Sequence, residues 1–151
     1  MLTILLLSGP NLNLLGEREP AVYGTATLDD HVARARKAAE AVGFALEHLQ
    51  SNHEGALVDA VQAARGRCAA VVINPGALTH YSYALADALA AYDGVVVELH
   101  ISNPSAREAW RRMSVIAPVA TATISGLGGL GYELAVEAAA RLASDGKAGS
   151  K

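Results

Sequence analysis

"LTILLLSGPNLN", Leu2 to Asn13, decides the fold. Its first half is a nearly unbroken apolar run, the pattern of a parallel strand covered on both faces rather than of a half-exposed strand, which would alternate. The run then stops in Ser-Gly-Pro-Asn, residues that form turns and end strands. The same pattern returns twice: "AAVVI" precedes "NPGALTH", and "VVVEL" precedes "HISN". Adding two shorter runs, the sequence predicts strands over Leu2 to Ser8, Phe44 to Gln50, Ala69 to Asn74, Val95 to His100 and Val119 to Ser125. Helical periodicity fills the gaps, over Leu28 to Val42, Glu54 to Ala64, Tyr81 to Ala91, Ala106 to Arg112 and Gly131 to Ala143. "TLDD", Thr27 to Asp30, marks the first helix start with an N-cap and an acidic third position.

Strand and helix in strict alternation imply a doubly wound parallel sheet, and right-handed crossovers leave few ways to wind it. The expected architecture is α/β and flavodoxin-like, five parallel strands in the order 2-1-3-4-5, with a ligand site beyond the carboxyl ends of the strands. Every one of those ends carries polar or glycine-rich text: "GPNLN", "QSNHEG", "NPGALTH", "HISN" and "SGLGGLG". A single domain over residues 1–143 is expected, followed by a polar tail, 144–151, with the composition of a disordered segment.

Composition narrows the partners. The chain has 151 residues, a net charge of −3 and no clustered basic face, which argues against nucleic acid. No run reaches a membrane-spanning length, and the first apolar run lacks the basic flank and cleavage site of a signal peptide. One cysteine, Cys68, cannot close an internal disulfide, which suits a reducing cytoplasm. Lys37 is the only lysine before the tail. Positive charge is therefore carried by arginine, which binds oxyanions and does not form Schiff bases.

Several groups of residues compete for the chemistry. Ser8 to Gly24 has no regular period, and long loops of that kind are commonly lids or binding loops; it carries Arg18 and Tyr23. Glu98 and His100 stand two apart at a strand end, so a carboxylate can orient an imidazole there. Asn11 and Asn74 end adjacent strands at the switch point of the sheet. Asn13 and Asn103 read equally well as turn formers. His53, His80 and His100 fall on one edge with Glu54, Asp87 and Glu98 nearby, yet no pair has a compact metal-ligand spacing. "GLGGLG", Gly126 to Gly131, matches a dinucleotide fingerprint but lacks the following strand that the fingerprint needs, leaving a tight turn with close helix packing.

"GPNLNLLGEREPAVYG", "SNHEGALVDAV", "INPGALTHYSYAL" and "VVVELHISNPSAREAWRRMSV", followed by "GLGGLGYELA", resemble type II 3-dehydroquinate dehydratase from end to end. The resemblance implies a homododecamer of four trimers that dehydrates 3-dehydroquinate to 3-dehydroshikimate by anti elimination through an enolate, with no metal and no cofactor. It implies Tyr23 as the base, with Arg18 beside it, Asn11 holding a water on the enolate, and His100 as the acid, oriented by Glu98. Asn74, His80, Ile101, Ser102 and Arg111 would bind the substrate's hydroxyls and carboxylate, and Asp87 would reach a neighbouring subunit's site. A tyrosine, ordinarily protonated at neutral pH with a pKa of about 10, needs a nearby cation to act as a base, and arginine stays charged. Two departures from the family pattern, Tyr81 and Pro104-Ser105, bear on subunit packing and loop rigidity. A non-catalytic flavodoxin-like module is the rival. A phosphorylation receiver would want aspartate where Asn74 stands, and an FMN binder a Ser/Thr-rich first loop.

Overall fold

The computed structural model describes residues 1–146. The five apolar runs fold as β1 (Leu2–Ser8), β2 (Phe44–Gln50), β3 (Ala70–Asn74), β4 (Val95–His100) and β5 (Ala122–Ser125). All pairings are parallel and the order is β2-β1-β3-β4-β5, as the sequence predicts. The helices are α1 (Pro20–Tyr23), α2 (Leu28–Ala41), α3 (Glu54–Ala64), α4 (Tyr83–Ala90) and α5 (Leu130–Ser144).

The unbroken apolar runs are explained by two cores, one on each face of the sheet. Ile4, Leu6, Val72 and Val97 face α2 and α5, while Leu5, Leu7, Val71 and Val96 face α3 and α4. Successive strand residues point to opposite faces, so a strand buried on both sides has no polar phase. At the start of α2 the Thr27 hydroxyl accepts from the Asp30 N–H, and the Asp30 carboxylate accepts from the Thr27 N–H, closing the expected capping box.

Some ends shift, with β5 starting at Ala122 rather than Val119 and α4 at Tyr83 rather than Tyr81, and two expectations change further. The predicted helix over Ala106 to Arg112 is instead a pair of 3-10 turns, Pro104–Ala106 and Ala109–Arg112, with Arg107 extended between them. Trp110 and Met113 remain exposed, so this stretch has no apolar face to bury against the sheet, which is what stabilises short helices. The other concerns the tail: α5 runs through Ser144, and Asp145 caps it. Residues 147–151 of the expected tail lie outside the described residues.

At the switch point the loops after β1 and β3 cross in contact. A Cβ at Gly9 would collide with the Pro75 carbonyl, and one at Gly76, whose φ is +60°, would stand 3.0 Å from the Pro10 carbonyl oxygen. Glycine is what lets the two backbones meet there. The glycines of "GLGGLG" serve similar ends: Gly126 and Gly128 have positive φ, and a Cβ at Gly131 would stand 2.9 Å from Leu99.

Candidate active site

The crossing floors a pocket at the carboxyl ends of β1, β3 and β4, with about 570 Å³ of empty space including its mouth. Asn11, Arg18 and Tyr23 reach it from the first loop, Asn74 and His80 from the segment after β3, and His100, Ile101, Ser102 and Arg111 from the segment after β4. Nine of the eleven residues to which the resemblance gives a role thus share one cavity. Of the other two, Glu98 lies buried behind His100, and Asp87 is exposed on α4 outside the pocket.

The first loop is more ordered than its sequence suggests. Leu12 and Leu15 are buried and pin a 3-10 turn, Leu12–Leu14, to the core, and Asn11 opens that turn at φ 69°. The Asn11 N–H donates to Asn52 Oδ1 at 3.0 Å, so a neighbouring loop supports this left-handed residue. Asparagine tolerates that conformation better than most residues. Further on, Glu19 at φ 41° and Gly24 at φ 79° bracket α1, the single turn that carries Tyr23.

Tyr23 meets two cations. Arg18 lies over the ring, its Cζ 5.0 Å from the centroid, and pairs with Glu19 at 3.3 Å. Arg107 donates from Nη1 to the Tyr23 hydroxyl oxygen at 2.8 Å. The direct partner of the oxygen is therefore Arg107, which also lines the pocket and which sequence reading missed. An N–H donated from a cation strengthens as the acceptor becomes anionic, so this contact stabilises a phenolate oxygen.

Glu98 and His100 form the second unit. His100 Nε2 stands 2.6 Å from Glu98 Oε2, which leaves Nδ1 as the nitrogen not committed to the carboxylate. Glu98 is 2% exposed and also accepts from the Thr79 and Ser114 hydroxyls. Burial pushes the carboxyl pKa up, but hydrogen bonds from His100 and Thr79, the charge on His100 and the Ser114 hydroxyl outweigh it and hold Glu98 below its ordinary value. Each hydroxyl has one proton, and both are spent on the carboxylate. Ser114 uses its lone pairs to accept from the Ile116 and Ala117 N–H groups at 3.1 and 2.9 Å.

The remaining pocket groups are held from outside it. His80 Nδ1 lies 2.7 Å from the Met113 carbonyl oxygen, which as an acceptor calls for N–H there and leaves Nε2 for another partner. Arg111 stacks over Trp110 at 4.0 Å and pairs with Glu108 at 3.0 Å. The Ser102 carbonyl accepts from the Gly126 N–H at 2.9 Å and the Ile101 carbonyl from the Gly128 N–H at 3.1 Å, so the "GLGGLG" turn fixes the backbone after β4. Lys37 is exposed in mid-α2 and does not line the pocket. Among the described residues no three of His, Cys, Asp and Glu gather as a metal site would require, and no helix is long and apolar enough to cross a membrane.

Comparison with known proteins gives the family. The family model described as "Dehydroquinase class II" matches residues 2–140. The catabolic 3-dehydroquinase of Verticillium alfalfae is 57% identical, over 91% of this chain and 92% of its own. The 3-dehydroquinate dehydratase of Halalkalibacterium halodurans is 52% identical over 90% and 94%. The crystal structure of type II dehydroquinase from Butyrivibrio crossotus superposes with a TM-score of 0.88 at 42% identity, covering 91% of this chain and 96% of that one.

Proposed function

The chain belongs to the class II dehydroquinase family and is a 3-dehydroquinate dehydratase, and on that premise we propose that Tyr23 and His100 divide the acid and base work. Tyr23, as phenolate, removes a proton from C2 of 3-dehydroquinate. The electron pair is held as an enolate, and its return expels the C1 hydroxyl, which His100 protonates as it leaves as water. Product and water together balance the substrate. The observation that carries this reading is the 2.8 Å hydrogen bond from Arg107 to the Tyr23 oxygen in the same pocket as His100. It supplies the cation that a tyrosine base requires, and the Glu98 carboxylate supplies the counter-charge that a protonated His100 requires.

Asn11 is assigned to holding the water that supports the enolate. Asn74, His80, Arg111 and the backbone at Ile101 and Ser102 are assigned to the substrate's hydroxyls and carboxylate, as electrostatic groups fixed before the reaction begins. The assembly proposed is a homododecamer of four trimers, located in the cytoplasm. What supports it is Asp87, an exposed carboxylate that does not line its own chain's pocket.

The test is an ultraviolet assay for the conjugated enone product with 3-dehydroquinate, run with and without chelator. Equal turnover in both is expected. No product would end the reading, and activity lost to chelator would replace it with a metal-assisted elimination.

A further inference from the structure

Asn74 closes β3, is 3% exposed, and its side-chain amide has two fixed partners. The Gly76 N–H donates to Oδ1 at 3.2 Å, and Nδ2 donates to the Tyr132 hydroxyl oxygen at 3.2 Å. An amide has one acceptor end and one donor end. Reversing this one would set Nδ2 against the Gly76 N–H, two donors face to face. With one Nδ2 hydrogen on Tyr132, the other is left for the pocket that Asn74 lines.

Tyr132 is suited to such a task. It stands on the first turn of α5, fully buried, and burial pushes its hydroxyl pKa up to about 12, partly offset by the bond from Asn74, so it remains a neutral phenol. Its ring stacks on His31 of α2, with centroids 4.8 Å apart and planes 3° from parallel. Gly129 closes over the outside of that stack, where a Cβ would stand 2.8 Å from His31 Cε1. The phenol is thus wedged between two helices, with its oxygen at the Asn74 amide. Tyr132 itself does not line the pocket.

We propose that Tyr132 is a positioning residue for the dehydration: with the Gly76 N–H it holds the Asn74 amide so that a single N–H is offered to an acceptor oxygen of the substrate. This rests on the assignment of the pocket to 3-dehydroquinate. The role is in binding, so loss of the hydroxyl raises KM more than it lowers kcat.

Tyr132→Phe keeps the ring and removes the hydroxyl. KM for 3-dehydroquinate should rise about 5- to 10-fold, the scale of one lost hydrogen bond, with kcat within about 2-fold. Asn74→Ala should raise KM at least as much, and Tyr132→Phe should add nothing to it, because Tyr132 acts only through Asn74. A purely structural role would instead give additive losses. The second readout needs no substrate: in ¹⁵N-labelled protein the Asn74 side-chain NH₂ should give two well-separated proton signals, whose separation shrinks in Tyr132→Phe. Wild-type KM in Tyr132→Phe, additive losses with Asn74→Ala, or unmoved Asn74 amide signals would each overturn the proposal. A wild-type enzyme inert to 3-dehydroquinate would overturn the functional premise instead, and the amide signals would then decide the Tyr132 contact alone.

Discussion

Both arginines lie over the Tyr23 ring, Arg18 at 5.0 Å and Arg107 at 5.2 Å from its centroid, and Arg107 also donates to the hydroxyl oxygen. Tyr23→Phe removes the oxygen and keeps the ring. Steady-state kinetics should show kcat down by at least ~10²-fold, with KM changed far less. Arg107→Ala should cost a similar factor, and the double variant should be little worse than either alone, since base and cation fail as one unit. Near-normal turnover in Tyr23→Phe would give the base role to another group. Tyr23 was legible in the sequence because it sits on a loop whose length needed a reason, and His100 because Glu98 stands two residues before it. Arg107 was not legible. It falls in a stretch with three arginines, Arg107, Arg111 and Arg112, and only the break between two 3-10 turns decides which of them faces Tyr23.

The packing of α2 on α5 carries a pH dependence. His31 is 2% exposed, and neither ring nitrogen has a hydrogen-bond partner among the described residues. Burial lowers its pKa, Arg34 lowers it further, and Asp30 raises it in part. The native state therefore resists a proton that the unfolded chain accepts below about pH 6.5. Stability from this group is complete above that pH and is lost as pH falls toward the depressed native value. Urea midpoints should accordingly drop between pH 7.5 and 5.5, and His31→Leu should flatten that drop. His48, also lowered chiefly by burial, contributes in the same direction, so a residual slope is expected. An unchanged slope in His31→Leu would show that His31 titrates normally in the fold. Glu98 acts in a separate window: its pKa is depressed, so its contribution is present above the ordinary carboxylate range and is lost only at more acid pH. At this scale the sequence was a good guide to β1, β3 and β4, whose apolar runs admit no other phase. It failed after β4, where helical spacing existed without an apolar face to bury.

The assembly is tested by subunits that lack different parts. Asp87→Ala chains retain Tyr23, and Tyr23→Phe chains retain Asp87. Each should be nearly inactive alone, yet the two unfolded together and refolded should regain part of the activity if sites are shared between chains. No recovery despite proven mixing would confine each site to one chain. Strand and helix alternation narrowed the sheet to a few windings, of which 2-1-3-4-5 is the one found, whereas the exposure of Tyr81, Tyr83 and Trp110 has no period in sequence. The cage around Glu98 also bears on how a turnover ends. On the proposed assignment each cycle leaves a proton on Tyr23 and takes one from His100, so the enzyme must be recharged before it can act again. Glu98, ringed by two hydroxyls that have already given it their only protons and held below its ordinary pKa, is a poor reservoir for that exchange. The returning proton has to travel on the open side of the imidazole, through solvent or the departing ligand, so recharging is tied to the emptying of the pocket.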